Sequence, residues 1–443
     1  MTLGSDMDEV DVGQFLDGQD WTWRQQLYIF LVAMAVVMDG FDNQILGLTI
    51  ASLSEEWGVE RDLFAPVLAL GIIGLSIGTF VGGWLGDKIG RRTMLIVSVA
   101  LFSIMTGVTA MAGNITELLI LRFLAGLGLG GTMPNATALL AEFAPARRQV
   151  LAITLGIACI PVGGVLGGYL SAFLIPAYGW QSLYIFGAVA PVFVIAALIW
   201  IVPESPRYLA GKPAMWPKLV RILNRLSSEN NFSSETKFNI SRMELKAPFS
   251  AIFSKEYRHD TLALWAAYFT NLLAVYVFFN WMPTMLSLIG LGTSQVGYGS
   301  ALYNLGSIVG ALICVWLVAR YGMRLITSGL GAGAVIGGLI FSFLTDNIAI
   351  MILLAFMGAF TAGFQILLFS IAARIYPTQI RGTGIGSAHA LGRLGAIISS
   401  FAGALMLNID PTGTQFFWFV SLTMGLAMIA VLKIKSLRVS KSS

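Results

Sequence analysis

Apolar residues run in twelve long stretches along this chain, and each is long enough for a helix to span a bilayer, for which about 20 residues suffice. The stretches fall at about 25–50, 63–85, 94–112, 117–142, 150–174, 181–202, 260–288, 296–318, 325–344, 348–373, 383–407 and 414–434. The ninth and tenth are separated only by Thr345-Asp346-Asn347. The fold expected is all-α: twelve membrane helices in two six-helix halves, 25–202 and 260–434. A polar segment, 1–24, precedes them, and a short tail, 435–443, follows. The stretch 203–259 divides six spans from six. It holds Pro203, Pro206, Pro213 and Pro217 and a Ser/Asn-rich patch at 227–234, with short amphipathic helices expected around 214–226.

The halves repeat. Trp84-Leu85-Gly86-Asp87-Lys88-Ile89-Gly90-Arg91-Arg92 aligns with Trp316-Leu317-Val318-Ala319-Arg320-Tyr321-Gly322-Met323-Arg324 at an offset of 232. The same offset superposes Gly74 and Gly78 on Gly306 and Gly310, Gly126 on Gly358, Gly131 on Gly363, Pro145 on Pro377 and Gly163 on Gly395. Duplicated halves with a site at their interface, near the bilayer midplane, are a secondary-transporter architecture. The chain has no G-x-x-x-x-G-K-[ST] loop with which to use ATP.

Composition excludes a soluble protein. Charged residues are 11% and hydrophobic residues 56%, against about 25% charged in a soluble domain. The basic residues cluster in the loops of one side: Lys88, Arg91 and Arg92; Arg147 and Arg148; ten in 203–259; Arg320 and Arg324; Arg374 and Arg381; and Lys433, Lys435, Arg438 and Lys441. The other side carries Arg61 among Glu55, Glu56, Glu60, Asp62, Glu117, Asp346 and Asp410. By the positive-inside bias both termini are cytoplasmic, so the positive net charge signals topology and no nucleic-acid partner is expected. The first 24 residues include Asp6, Asp8, Glu9, Asp11, Asp17 and Asp20 and lack a basic n-region, so no signal peptide is expected. Cys159 and Cys314 lie inside spans with no metal-ligand spacing; no metal and no cofactor are expected.

Against this apolar background the polar residues inside spans stand out. Asp39 and Asp42 lie in the first span at i, i+3, on one helix face. An ionised Asp at mid-depth costs about 2.5–3.5 kcal/mol, and two neighbours repel. Such a pair is expected to face a polar cavity and to move protons or bind a ligand there. Arg122 and Arg393 are the two arginines within spans.

The motifs resemble those of the major facilitator superfamily. Gly83-Trp84-Leu85-Gly86-Asp87-Lys88-Ile89-Gly90-Arg91-Arg92 resembles its loop after the second span. Arg122 with Gly126, Gly128 and Gly130 resembles its R-x-x-x-G-x-G-x-G, and Pro203-Glu204-Ser205-Pro206-Arg207 is similar to the P-E-S-P-R of sugar porters. Asp39-Gly40-Phe41-Asp42 resembles the D-G-x-D of the aromatic acid:proton symporters. So do Met133-Pro134-Asn135-Ala136-Thr137, Ile175-Pro176-Ala177-Tyr178-Gly179-Trp180, Tyr376-Pro377-Thr378 and Gly392-Arg393-Leu394-Gly395-Ala396-Ile397. The resemblance implies a multi-pass protein of a bacterial inner membrane that takes up a small aromatic carboxylate with protons, working as a monomer. It also implies a part for Arg122 in proton coupling.

Arg393 offers a planar fork that matches a carboxylate in two hydrogen bonds. It either grips the substrate or pairs with Asp39 or Asp42, and the two uses are compatible. Gly392 and Gly395 are expected to leave room beside it. Arg122 is expected to act on an Asp of the first span. His389, one turn before Arg393, is a further proton-site candidate. Asp42, Asn43, Gln44, Asn135, Tyr268, Asn271, Tyr303, Asn304, Phe364 and Gln365 are the candidate substrate contacts. Gly83, Gly86, Asp87, Gly90, Arg91, Arg92, Glu142 and Arg148 form the expected cytoplasmic gate. In it Asp87 accepts hydrogen bonds from the N-terminus of the eleventh span, and Glu142 joins Arg91 and Arg148. Ala319 replaces the acid in the second-half copy, so the gate belongs to the first half.

The alternatives are a non-aromatic dicarboxylate or a nicotinate-like substrate, an efflux antiporter, or a membrane receptor. Ile160-Pro161-Val162-Gly163-Gly164 lacks the spacing of the antiporters' G-P-x-x-G-G. A sensor needs no proton path.

Overall fold

A computed structural model describes residues 10–18, 21–226, 232–233, 236–239, 248–410 and 412–437. Most of the Ser/Asn-rich patch at 227–234, the tail from 438 with Arg438 and Lys441, and Asp6, Asp8, Glu9 and Asp20 lie outside the described residues. Among the described residues twelve helices are long and apolar enough to cross a membrane. They are helix 1 (Trp23–Trp57), 2 (Ala65–Ile89), 3 (Arg91–Thr109), 4 (Ile115–Phe143), 5 (Gln149–Tyr178), 6 (Gln181–Trp200), 7 (Arg258–Leu288), 8 (Thr293–Tyr321), 9 (Met323–Phe341), 10 (Asn347–Ile375), 11 (Thr378–Ile409) and 12 (Thr414–Lys433).

Several helices overrun their apolar stretches, because caps and not polarity end them. Helix 1 starts at the capping box of Thr22 with Gln25 and runs to Gly58, whose left-handed φ of 62° stops it. It thereby extends through Glu55 and Glu56, and Glu56 accepts a 2.8 Å hydrogen bond from Trp180 Nε1. The narrow cut before helix 10 is an N-cap: Asp346 accepts from the Ala349 amide at 2.8 Å.

The sequence repeat is a structural repeat. An offset of 232 carries helix 3 onto helix 9 and helix 4 onto helix 10, residue for residue. The loop glycines Gly90 and Gly322 correspond, with φ of 110° and 84°. Gly78 and Gly310 also play one role twice. A Cβ at Gly78 would come within 2.8 Å of the Leu127 carbonyl carbon on helix 4, and one at Gly310 within 2.7 Å of Ala359 O on helix 10. Small residues let these backbones approach in both halves.

The two halves meet at one end. Arg61 Nη1 donates to Thr284 O at 3.4 Å, Asn408 Nδ2 to Asp62 at 2.9 Å and Ser294 Oγ to Ala172 O at 2.8 Å. All three lie at the acidic-loop end. One apolar core runs continuously from this end of the first half, through Phe64 and Leu68, into the second half. A separate core, containing Tyr28, Phe102 and Phe143, fills the basic-loop end of the first half alone. The molecule is therefore closed at its acidic end and parted at its basic end.

Where short amphipathic helices are expected around 214–226, the structure has one α-helix, Trp216–Leu226. Around it, Val10–Asp11 pairs in parallel with Phe238–Asn239, and Phe15 packs edge-on against Phe232 at 5.0 Å. Residues 10–18 thus fold onto the connecting loop, an association that two polar segments far apart in sequence do not announce.

Candidate functional site

Asp39 and Asp42 are both buried, at 3% and 1% exposed. Gly40 between them lets helix 1 press on helix 5: a Cβ there would meet the Ile160 carbonyl carbon at 2.8 Å. The two carboxylates take different partners. Asp42 accepts from Thr106 Oγ1 and from Arg122 Nη1, the latter at 3.3 Å. Arg122 Nη2 donates to Thr106 at 3.2 Å and to Thr109 at 3.4 Å, and its guanidinium lies 5.1 Å from the Tyr184 ring centroid. Tyr184 in turn bonds Thr49 at 3.0 Å. Helices 1, 3, 4 and 6 thus close a charge network inside the first half. Supporting hydrogen bonds of this kind are what make a buried ion pair tenable. Gly126, one turn after Arg122, brings helix 4 against helix 2: a Cβ there would meet the Leu75 amide at 3.0 Å.

Asp39 accepts from Asn43 Nδ2 at 3.0 Å, and the charges acting on it are those of Asp42 and Arg393. Arg393 makes no ion pair with a described residue, and its Nη1 has no hydrogen-bond partner. It is half-buried on helix 11. The expected room beside it is filled. Gly395 presses on helix 7, where a Cβ would meet the Phe269 carbonyl carbon at 3.1 Å, and Gly392 meets Leu272.

His389, Tyr268 and Phe369 form a ring cluster from helices 11, 7 and 10, with centroids 5.6 to 6.1 Å apart. Tyr268 Oη is buried without a partner. Asn271 donates to Gln365 across helices 7 and 10, leaving its Oδ1 unpartnered. Gln44 accepts from Asn304 Nδ2 at 2.8 Å, joining the halves at mid-depth, and Gln44 Nε2 is unpartnered. Tyr268, Asn271, Gln365, Phe369 and His389 gather between helices 7, 10 and 11, while Gln44 and Asn304 meet beside Gly164, where helices 1, 5 and 8 come together.

Other expected substrate contacts lie elsewhere. Asp42 is held by Arg122 and Thr106 within the first half. Asn135 is fully buried and donates to Gly82 O at 3.0 Å and Gly131 O at 2.7 Å, so it fastens helix 4 to helix 2. Tyr303 bonds Thr361 at 3.0 Å and packs on Phe278 at 4.9 Å. Phe364 is fully buried in the core that runs through both halves. In helices apolar all round, periodicity does not separate a cavity face from a packed one.

The loop between helices 2 and 3 departs from the expected gate. Asp87 is 65% exposed and pairs with Arg91 of its own loop. It does not meet helix 11, because the basic ends of the halves stand apart. Arg92 Nε donates to Leu198 O at 2.8 Å, which satisfies the end of helix 6. Arg148 stacks over Trp21 at 4.8 Å and does not join Glu142. Glu142 accepts from Ser205, with Arg207 and Arg91 as its cationic neighbours. Gly86 abuts Asn135, whereas Gly83 has open space beyond a 3.7 Å contact with Pro134.

Glu204 is the residue that sequence reasoning quoted and did not use. Its carboxylate accepts from the Arg92 amide at 2.8 Å and the Thr93 amide at 3.1 Å, capping the N-terminus of helix 3. A Cβ at Gly90 would come within 2.5 Å of it. Thr106, Thr109 and Tyr184 were also missed. Their signal was weak: polar atoms in otherwise apolar spans.

The profile described as Major Facilitator Superfamily matches residues 32–299 and 264–442. The chain is 34% identical over 426 residues to a gallate transporter of Pseudomonas putida, covering 96% of this chain and 94% of that protein. It is 32% identical over 423 residues to the 4-hydroxybenzoate transporter PcaK of Acinetobacter baylyi, covering 94% and 92%. An inward open structure of the xylose transporter XylE from E. coli superposes with a TM-score of 0.73 at 18% identity, covering 92% of this chain and 95% of that one, a likeness of fold. With twelve membrane helices in two repeated halves and these relatives along nearly its whole length, the chain is a transporter and not an enzyme, and it belongs to the major facilitator superfamily, in the branch that holds the gallate and 4-hydroxybenzoate transporters.

Proposed function

We propose that this protein imports a small aromatic carboxylate together with protons across a bacterial inner membrane, by alternating access. The observation that carries the reading is the zone between the halves. There Arg393 presents an unpartnered guanidinium nitrogen near Asp39, beside the Tyr268, Phe369 and His389 rings. A guanidinium fork suits a carboxylate, and stacked or edge-on rings suit an aromatic body. The relatives named for gallate and 4-hydroxybenzoate support an aromatic acid. Gln44, Asn304, Asn271, Gln365 and Asn43 are the polar groups available to ring substituents.

In this reading Asp39 and the Asp42–Arg122 pair carry protons. An ionisable residue within a membrane span is by default functional, and both Asp39 and the further proton-site candidate His389 feel the charge of Arg393. With the basic loops cytoplasmic, the structure is the inward-facing state, and Asp87 gains a partner on the other half only when the basic end closes. A monomer suffices, since each chain contains both halves.

One proton per monoanion makes transport electroneutral, so a pH gradient alone drives about tenfold accumulation per pH unit. A second proton adds the membrane potential, about 2.3 kcal/mol per 100 mV. The test is uptake of labelled gallate and 4-hydroxybenzoate into proteoliposomes made alkaline inside. The expected result is accumulation above the external concentration that a protonophore abolishes. Equilibration alone, indifferent to the gradient, overturns proton coupling. No uptake of either acid overturns the substrate assignment.

A further inference from the structure

A cavity of about 50 Å³ lies between the Asp42–Arg122 pair and helix 7. Asp42, Asn43 and Arg122 line it from the first half, and Tyr276, Phe279 and Asn280 from the second. Two N–H groups of its lining residues have no partner: Arg122 Nε and Asn280 Nδ2, each on a residue 5% exposed. Leaving a buried donor unpaired is unfavourable. A water relieves it wherever the site is polar and offers about 10–15 Å³, and this cavity exceeds that. Asn280 also marks the crossing of the halves: a Cβ at Gly47 of helix 1 would meet the Asn280 carbonyl oxygen at 2.8 Å.

We propose that this cavity is an internal water site through which Asn280, on the second half, senses the Asp42–Arg122 pair of the first, so that Asn280 is a positioning residue for proton coupling. The inference rests on the proton-coupled reading above. The water accepts from Arg122 Nε and Asn280 Nδ2 and donates to the Asp42 carboxylate. When a proton binds Asp42, that oxygen becomes a hydroxyl and donates in turn. The water reverses its orientation, and the contact offered to Asn280 changes where helix 7 crosses helix 1. The other charged or titratable groups about Asp42 are Tyr184 of helix 6 and Asp39 of its own helix. Helix 7 adds Tyr276, helix 2 supplies only apolar lining, and helix 3 supplies the hydroxyls of Thr106 and Thr109.

The test compares two fluxes of 4-hydroxybenzoate and gallate in proteoliposomes of the full chain: accumulation driven by a pH gradient, and exchange at equal concentrations. Asn280→Leu removes the amide and fills the cavity. It is expected to keep exchange within about twofold of wild type and to lose at least tenfold in accumulation. Asn280→Ser keeps a hydroxyl for the water and is expected to retain accumulation within about threefold. An unchanged ratio of accumulation to exchange in Asn280→Leu overturns the proposal, and so does an equal fall in Asn280→Ser. Should Asn280→Leu not reconstitute, Asn280→Val is read the same way, and loss of exchange in both apolar variants also overturns it. A wild type that merely equilibrates overturns proton coupling itself and this inference with it. A coupled wild type beside an unaffected Asn280→Leu overturns the inference alone.

Discussion

Arg122 and Arg393 are the two arginines set well inside the spans, and their surroundings differ. Arg122 is enclosed by Asp42, Thr106, Thr109 and Tyr184, whereas Arg393 makes no ion pair with a described residue and lies near Asp39 and an aromatic cluster. An enclosed pair is suited to holding charge within one half, and a free fork is suited to a ligand. Arg393→Lys keeps the charge and loses the bidentate geometry. It is expected to weaken binding of 4-hydroxybenzoate or gallate at least tenfold, about 1.4 kcal/mol, with the thermal midpoint of the purified protein little changed. Calorimetric titration in detergent checks this. Wild-type affinity in Arg393→Lys would make the arginine structural. Sequence alone singled out both arginines by their cost in a bilayer. It did not say which one is enclosed, because that depends on Thr106 and Tyr184, brought up by helices 3 and 6.

At the scale of elements, the turn between helices 2 and 3 is built from backbone conformation and one carboxylate. Gly90 has a φ of 110°, which other residues rarely adopt, and Glu204 packs where its side chain would go while capping helix 3. Gly90→Ala is expected to destabilise the fold by about 1–3 kcal/mol from backbone strain and to disturb the cap as well. Gly83→Ala enters ordinary space, at 3.7 Å from Pro134, and is expected to be nearly neutral. Thermal unfolding of the two variants, followed by intrinsic tryptophan fluorescence, checks the contrast. Equal midpoints would mean that the turn tolerates a side chain. The glycine-rich loop was legible as a motif. The role of Glu204 was not, since 112 residues separate it from Arg92.

For the whole molecule, the decisive feature is closure at one end. Asp62 and Asn408 meet across the halves at 2.9 Å, and no comparable contact joins the basic ends among the described residues. Alternating access requires the acidic end to part. Cysteines at 62 and 408, with Cys159 and Cys314 replaced by serine, are expected to block substrate exchange at least tenfold when oxidised and to release it on reduction. Cross-linked protein that exchanges freely would show that this end need not open.

The sequence by itself determined the membrane class, the twelve helices and the duplication. Each rests on local or periodic quantities: the length of an apolar run, the caps at its ends, and a fixed offset of 232 between like motifs. It also marked the intramembrane charges, since a charge in lipid is costly wherever its helix lies. Only the tertiary structure decided how those charges divide: Asp42 with Arg122 inside one half, Asp39 towards Arg393 between the halves. The same holds for Asn135 and Phe364, which are fully buried in packed helices, and for Asp87, which pairs with Arg91. The physical reason is common to all of them. A side chain in a helix that is apolar all round has several faces to choose from, and its neighbour is supplied by another helix far away in the chain.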